Sequence, residues 1–169
     1  VAHTILGLHK AAPDGEVARV LLAFLATAGI FYVNIMPALV DGLVQGAGFS
    51  NRQAGLVGSS NVYGAAIGAL IAVFIVKRIQ WRNWAYALLA ALMSLDLLSM
   101  LVHRFEPLMA MRFLHGTTGG MLVGIGFAVM SRPTQADRTF GYLLVVHFGL
   151  GGLGLAVLPL VVEHGREVV

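Results

Sequence analysis

Apolar residues run in five long blocks along the chain, separated by short polar stretches, at about 17–43, 53–76, 84–102, 107–132 and 138–162. About 20 apolar residues at 1.5 Å rise each span the roughly 30 Å hydrocarbon core of a bilayer. The pattern therefore predicts an all-α fold, a polytopic transmembrane helical bundle with five spans. The polar breaks carry helix start and stop signals. Ser50 and Gln53 fit an S-x-x-Q capping box, and Thr134 with Asp137 is a second candidate. Pro107 suits the first helical position of the fourth span, and Pro133 ends that span. Pro37 lies inside the first span, where neighbouring helices can satisfy the freed carbonyl. The opening VAHTILGLHKAAPDGE has no long apolar core or cleavage site, so residues 1–16 read as a polar lead and not as a signal peptide. The closing EHGREVV reads as a loop ahead of another helix.

Small residues mark the faces by which these helices pack. Gly64 and Gly68 form a G-x-x-x-G pair in the second span, extended by Gly58 and Ala72. Gly116, Gly120 and Gly124 repeat every four residues in the fourth, with Gly119 beside them. Such spacing lets a neighbouring backbone approach closely, and the expected neighbour is the first or fifth helix. The fifth span holds Gly149, Gly151, Gly152 and Gly154. Arg52 and Arg138, Gly55 and Gly141, and Gly68 and Gly154 all stand 86 residues apart. Inverted-topology repeats of three helices plus three would give such an offset.

Composition agrees with the membrane reading: 58% of the 169 residues are hydrophobic and 11% charged, against about 25% charged in a soluble domain. The net charge of +3 does not point to nucleic acid, because the basic residues flank the spans. Lys10, Arg19, Lys77, Arg78, Arg82, Arg132 and Arg138 share a side with the N-terminus, whereas Arg52, Arg104 and Arg166 lie opposite. The positive-inside rule then places the N-terminus in the cytoplasm. The absence of cysteine removes disulfides, thiolate metal sites and thiol catalysis, and neither a metal nor a cofactor is expected.

Inside the fourth span sits Arg112, a charge that hydrocarbon tolerates only when paired or facing a wet cavity. Counting helix rise from the outer ends, Asp96 and Arg112 both come about 8–9 Å below the edge of the core. The turn between their helices is short, so Asp96 is the first candidate counter-ion and Asp41, nearer the outer end, the second. His115 lies one turn deeper than Arg112, and Asn34 and Asn61 lie at about 12 Å. This predicts a polar layer of Asn34, Asn61, Asp96, Arg112 and His115 drawn from four helices. Tyr32 and Tyr63, slightly deeper, are further candidates to line a binding site. His147 stands apart, in the cytoplasmic half, as a packed or backbone-bonded histidine. The plainer alternatives are interhelical hydrogen bonds, worth about 0.6 kcal/mol each, and a purely structural ion pair.

The stretch Arg112-Phe-Leu-His-Gly116, followed by Gly119 and Gly120, resembles the R-x-x-x-G motif of the major facilitator superfamily. The run GFSNRQAGLVGSSNVYGAAIGALIAVF is similar to that superfamily's first loop and second helix. The resemblance covers almost the whole chain from Val17. It implies that residues 17–169 are a partial six-helix N-terminal domain, cut before or at the sixth helix and not competent alone. In the superfamily's proton-coupled antiporters this arginine is implicated in proton transfer, which makes Arg112 the candidate coupling residue. The fifth span lacks the Gly-Pro pair of drug antiporters. The loop Val73–Arg82 lacks the glycines and the acid of the usual G-x-x-x-D-R-x-G-R-R signature, but keeps Lys77, Arg78 and Arg82. Those residues remain candidates for the cytoplasmic gate and for anionic lipid headgroups, at about 1 kcal/mol per basic residue.

The function implied is secondary active transport of a small molecule by alternating access. The setting is a bacterial inner membrane, and the partners are protons as candidate coupling ion, membrane lipids and the missing C-terminal half. Two other classes compete. One is a non-transporting bundle that binds lipid or a partner protein. The other is an intramembrane serine protease built on Ser60 and His147, which would have to lie within about 3 Å of each other.

Overall fold

The computed structural model describes the backbone of residues 15–132 and 135–167, and side chains up to residue 157. The lead before Gly15, the stop at Pro133 and the cap at Thr134 lie outside the described residues. Five helices follow in order: α1 (Glu16–Gln45), α2 (Asn51–Ile75), α3 (Trp81–Ser99), α4 (Phe105–Met130) and α5 (Ala136–Glu167). Four of them, α1, α2, α4 and α5 through Val157, are long and apolar enough to cross a membrane. Helix α3 has 19 residues and opens on Trp81-Arg82-Asn83, which dilutes its apolar stretch. It nevertheless runs antiparallel to α4 over most of its length. Ala85, Leu88 and Leu92 share a core cluster with Leu122 and Ile125, while Asp96 and Ser99 meet Arg112 near the opposite end.

The caps explain where the helices begin. Ser50 Oγ accepts from the Gln53 amide at 3.3 Å, and Gln53 Oε1 accepts from the Ser50 amide at 3.0 Å, completing the capping box. Gly48 precedes it at φ 70°, a left-handed turn that glycine adopts without a Cβ penalty. Helix α4 starts at Phe105, so Pro107 is its third residue and not its first. It still lies in the first turn, where the missing N–H has no intrahelical partner to lose. The EHGREVV stretch, expected as a loop, is helical through Glu167. A single glycine there weakens a helix by about 1 kcal/mol without breaking it.

Glycine placement decides the packing. Helix α2 packs most extensively on α4, and α1 on α5. A Cβ built on Gly64 or Gly68 would strike the backbone of Phe113 or Thr117, and one on Gly116 or Gly120 would strike Asn61 or Ala65. Gly124 meets Ala72 and Ala69. The α4 glycines therefore grip α2, not α1 or α5 as the spacing alone suggested. Two small-residue ridges with the same four-residue period interleave, and only α2 carries the matching ridge. Gly119 and Gly126, turned toward another side of α4, are the positions that meet α1, at Gly29 and Ala26. Gly149 and Gly152, expected to pack, have open space around them; Gly151 and Gly154 instead touch Asn34 and Ile35 of α1. The two most extensive contacts, α2 with α4 and α5 with α1, are equivalent when α1 exchanges with α4 and α2 with α5. A bundle of three plus three repeated helices has that symmetry.

Candidate functional site

Arg112 and His115 lie three residues apart on α4, hence on one face, and three other helices converge on them. The Arg112 guanidinium donates from Nη1 to Asp96 Oδ1 at 3.1 Å and from Nη2 to Ser99 Oγ at 3.1 Å. Asp96 and Ser99 are themselves three apart on α3, so one helix face supplies both acceptors. The ring of Tyr32, on α1, lies under the guanidinium carbon at 5.1 Å. A weakly hydrated, planar cation suits such an aromatic face.

His115 is held from two sides. Its Nε2 is 3.3 Å from Asp96 Oδ1, and its Nδ1 is 3.0 Å from Asn61 Nδ2. The same Asn61 nitrogen donates to the Arg112 carbonyl oxygen at 3.1 Å. That carbonyl can only accept, so it sets the orientation of the Asn61 amide and leaves an N–H directed at His115 Nδ1. Nδ1 therefore accepts, and the ring proton resides on Nε2, facing Asp96. Asn61 is 2% exposed and His115 7%, so this part of the cluster is dry.

The ion pair is lopsided. The Arg112 side chain is 17% exposed and that of Asp96 is 56% exposed. Asp96 Oδ1 takes both donors, while Oδ2 has no partner among the described residues. A cavity of about 140 Å³ reaches Arg112, with Tyr32, Ser99 and His103 along it and apolar walls from Leu43 and Phe49. At about 30 Å³ per water it has room for about four to five. The guanidinium thus sits between a carboxylate and a pocket able to hydrate it, and does not face lipid alone.

The expected layer splits because depth does not set direction. Residues two apart on a helix point about 200° apart. Tyr32 joins the cluster on α4, whereas Asn34 turns to α5 and bonds His147. Asn61 is buried, but Tyr63 is 70% exposed and lies outside the cluster. His147, expected to stand apart, is thus tied to Asn34. Asp41 is exposed and accepts from Gln45 Nε2 at 2.6 Å, so it is not the counter-ion of Arg112. Lys77 and Arg78 are exposed, and Arg82 lies over the Trp81 ring at 5.4 Å. Ser60 donates to the carbonyls of Val57 and Met109, so it and His147 are engaged with different partners.

One cluster escaped the sequence reading. Glu16 Oε1 holds Arg19 at 3.1 Å and Arg138 at 3.2 Å, and Tyr142 donates to Oε2 at 2.5 Å. It ties the start of α1 to the start of α5. The available signal was opposite charge at helix ends on one side of the membrane, Glu16 and Arg138, which counts of basic residues alone pass over.

Apolar helices of this length, closed around a partly buried charged cluster, define an integral membrane protein of the polytopic helical class. The family model described as "Uncharacterised MFS-type transporter YbfB" (MFS_4) matches residues 27–168, from within α1 to just past the last described residue, and the chain belongs to this family. No curated protein and no solved structure matches it. Membership makes it a transporter of the major facilitator type, acting on a small-molecule substrate.

Proposed function

We propose that the chain works as the N-terminal half of a secondary active transporter, with protons as the coupling ion and Arg112 as the coupling residue. Residues 17–169 form the partial N-terminal domain, and a C-terminal half completes the substrate path by rocking against it. The observation that carries this reading is the Arg112–Asp96 pair, a guanidinium held inward by a carboxylate that is open on its other oxygen. A proton taken from water by Asp96 Oδ2 turns the carboxylate into a neutral acid. The site's charge rises by one, and the hold on Arg112 weakens. Replacing Arg112 with glutamine in the completed transporter should abolish pH-driven flux in proteoliposomes while folding and substrate binding persist. Full pH-driven flux in that variant would end the coupling role.

The N-terminus lies in the cytoplasm of a bacterial inner membrane, with α3 as the third of five spans. Lys77, Arg78 and Arg82 then face the anionic headgroups of the cytoplasmic leaflet. This topology is open to direct test because the chain has no native cysteine and Gln80 is exposed. In intact cells Gln80→Cys should resist an impermeant thiol reagent and react only after permeabilisation. Labelling from outside would invert the assignment.

A further inference from the structure

Two asparagine–histidine pairs stand in this bundle, and they share one hydrogen-bonding pattern, with asparagine and histidine exchanged between the repeats. Asn61 on α2 and His147 on α5 are 86 residues apart, the offset that also relates Arg52 to Arg138, Gly55 to Gly141 and Gly68 to Gly154. Their partners lie on α4 (His115) and α1 (Asn34), the helices exchanged by the same repeat. In each pair an asparagine Nδ2 donates to a backbone carbonyl and approaches a histidine Nδ1. For Asn61 these are Arg112 O and His115 Nδ1. For Asn34 they are His147 O at 2.9 Å and His147 Nδ1 at 3.3 Å. The carbonyl orients the amide, Nδ1 accepts, and the ring proton is left on Nε2 in both histidines.

The two sites differ in what Nε2 meets. On His115 it faces the carboxylate of Asp96. On His147 it has no acceptor among the described residues, although the ring is partly exposed and tied at one edge to Phe148, 5.3 Å between centroids. Gly151, one turn further along α5, makes room for the asparagine: a Cβ there would sit 2.5 Å from Asn34 Nδ2. The same kind of oriented Nε2–H donor that meets a carboxylate at His115 is thus open at His147 to an acceptor from elsewhere.

We propose that the Nε2–H of His147, held in place by Asn34, is a binding donor for a carboxylate on the transported small molecule. The ligand's oxygen would occupy the position that Asp96 Oδ1 takes against His115, forming a charge-assisted hydrogen bond. Only the word "transported" rests on the transporter reading; the binding stands by itself.

The test uses the chain in nanodiscs with ¹⁵N-labelled histidine, acetate as the probe and chloride at equal ionic strength as the control. At neutral pH the His147 signals should show an unprotonated Nδ1 and a protonated Nε2. Acetate should shift Nε2 of His147 saturably and leave His115 unmoved, and chloride should shift neither. His147→Phe should remove the acetate response. Asn34→Asp, which draws the proton to Nδ1, should weaken acetate binding about tenfold or more, the worth of one hydrogen bond to a charged group. A protonated Nδ1 in the parent, a non-saturating response, or acetate binding retained in His147→Phe would overturn the assignment. Should Asn34→Asp not fold, the parent spectrum and His147→Phe decide. Acetate binding at His147 without flux in the completed protein would uphold the site and remove the transport reading. Flux with no acetate response at His147 would do the reverse.

Discussion

Gly120→Leu should destroy the folded bundle, and Gly120→Ala should already weaken it severely. The first atom of any side chain at Gly120 would run into the Ala65 carbonyl, which belongs to a helix backbone and cannot rotate aside. Overpacking costs about 1–3 kcal/mol where neighbouring side chains can give way. Here α2 and α4 must separate, and their contact is the most extensive in the molecule. A loss above about 3 kcal/mol is expected for alanine, at the severe end for such changes. Gly152→Leu is the matched control, because open space surrounds Gly152, and it should leave the midpoint unmoved. Thermal unfolding in detergent, followed by size-exclusion chromatography, compares the two. If Gly120→Leu unfolds with Gly152→Leu, the α2–α4 seam is not what holds the bundle together.

Charge removal at the Arg112–Asp96 pair should be asymmetric. Asp96→Asn leaves the mostly buried guanidinium without a counter-ion, and a stranded buried charge costs about 3–5 kcal/mol. Arg112→Gln leaves a carboxylate whose side chain is 56% exposed and which keeps the His115 Nε2 donor. A smaller loss is expected for that change, because the His115 donor remains on the carboxylate. The double variant should be more stable than Asp96→Asn alone, because no charge is then stranded. The check is a double-mutant cycle on unfolding midpoints. Additive effects, or a larger loss from Arg112→Gln, would show that Asp96 is not the counter-ion of Arg112.

The membrane class, the number of helices, the Ser50 capping box and the pairing of Asp96 with Arg112 were all legible in the chain. Each depends on local or one-dimensional information. Apolar block length sets a span, residues three apart set a cap, and helix rise with a short turn brings two charges to one depth. The α3 boundaries and the helical EHGREVV segment were less legible, because polar residues near a helix end do not say whether the last turns persist.

Direction around each helix axis was decided by the tertiary structure. Asn34 and Tyr32 lie close in depth, yet one serves α5 and the other α4, and Tyr63 leaves the cluster that Asn61 anchors. The choice of α2 as the partner of the α4 glycines required two ridges of equal period to meet, a property of a pair that neither helix states alone. The Asn34–His147 pair has the same origin. Its 86-residue relation to Asn61 was present in the chain, but became chemically meaningful only once α1 lay against α5. Rise along an axis can be counted from sequence, whereas rotation about it is settled by which neighbour fills each groove.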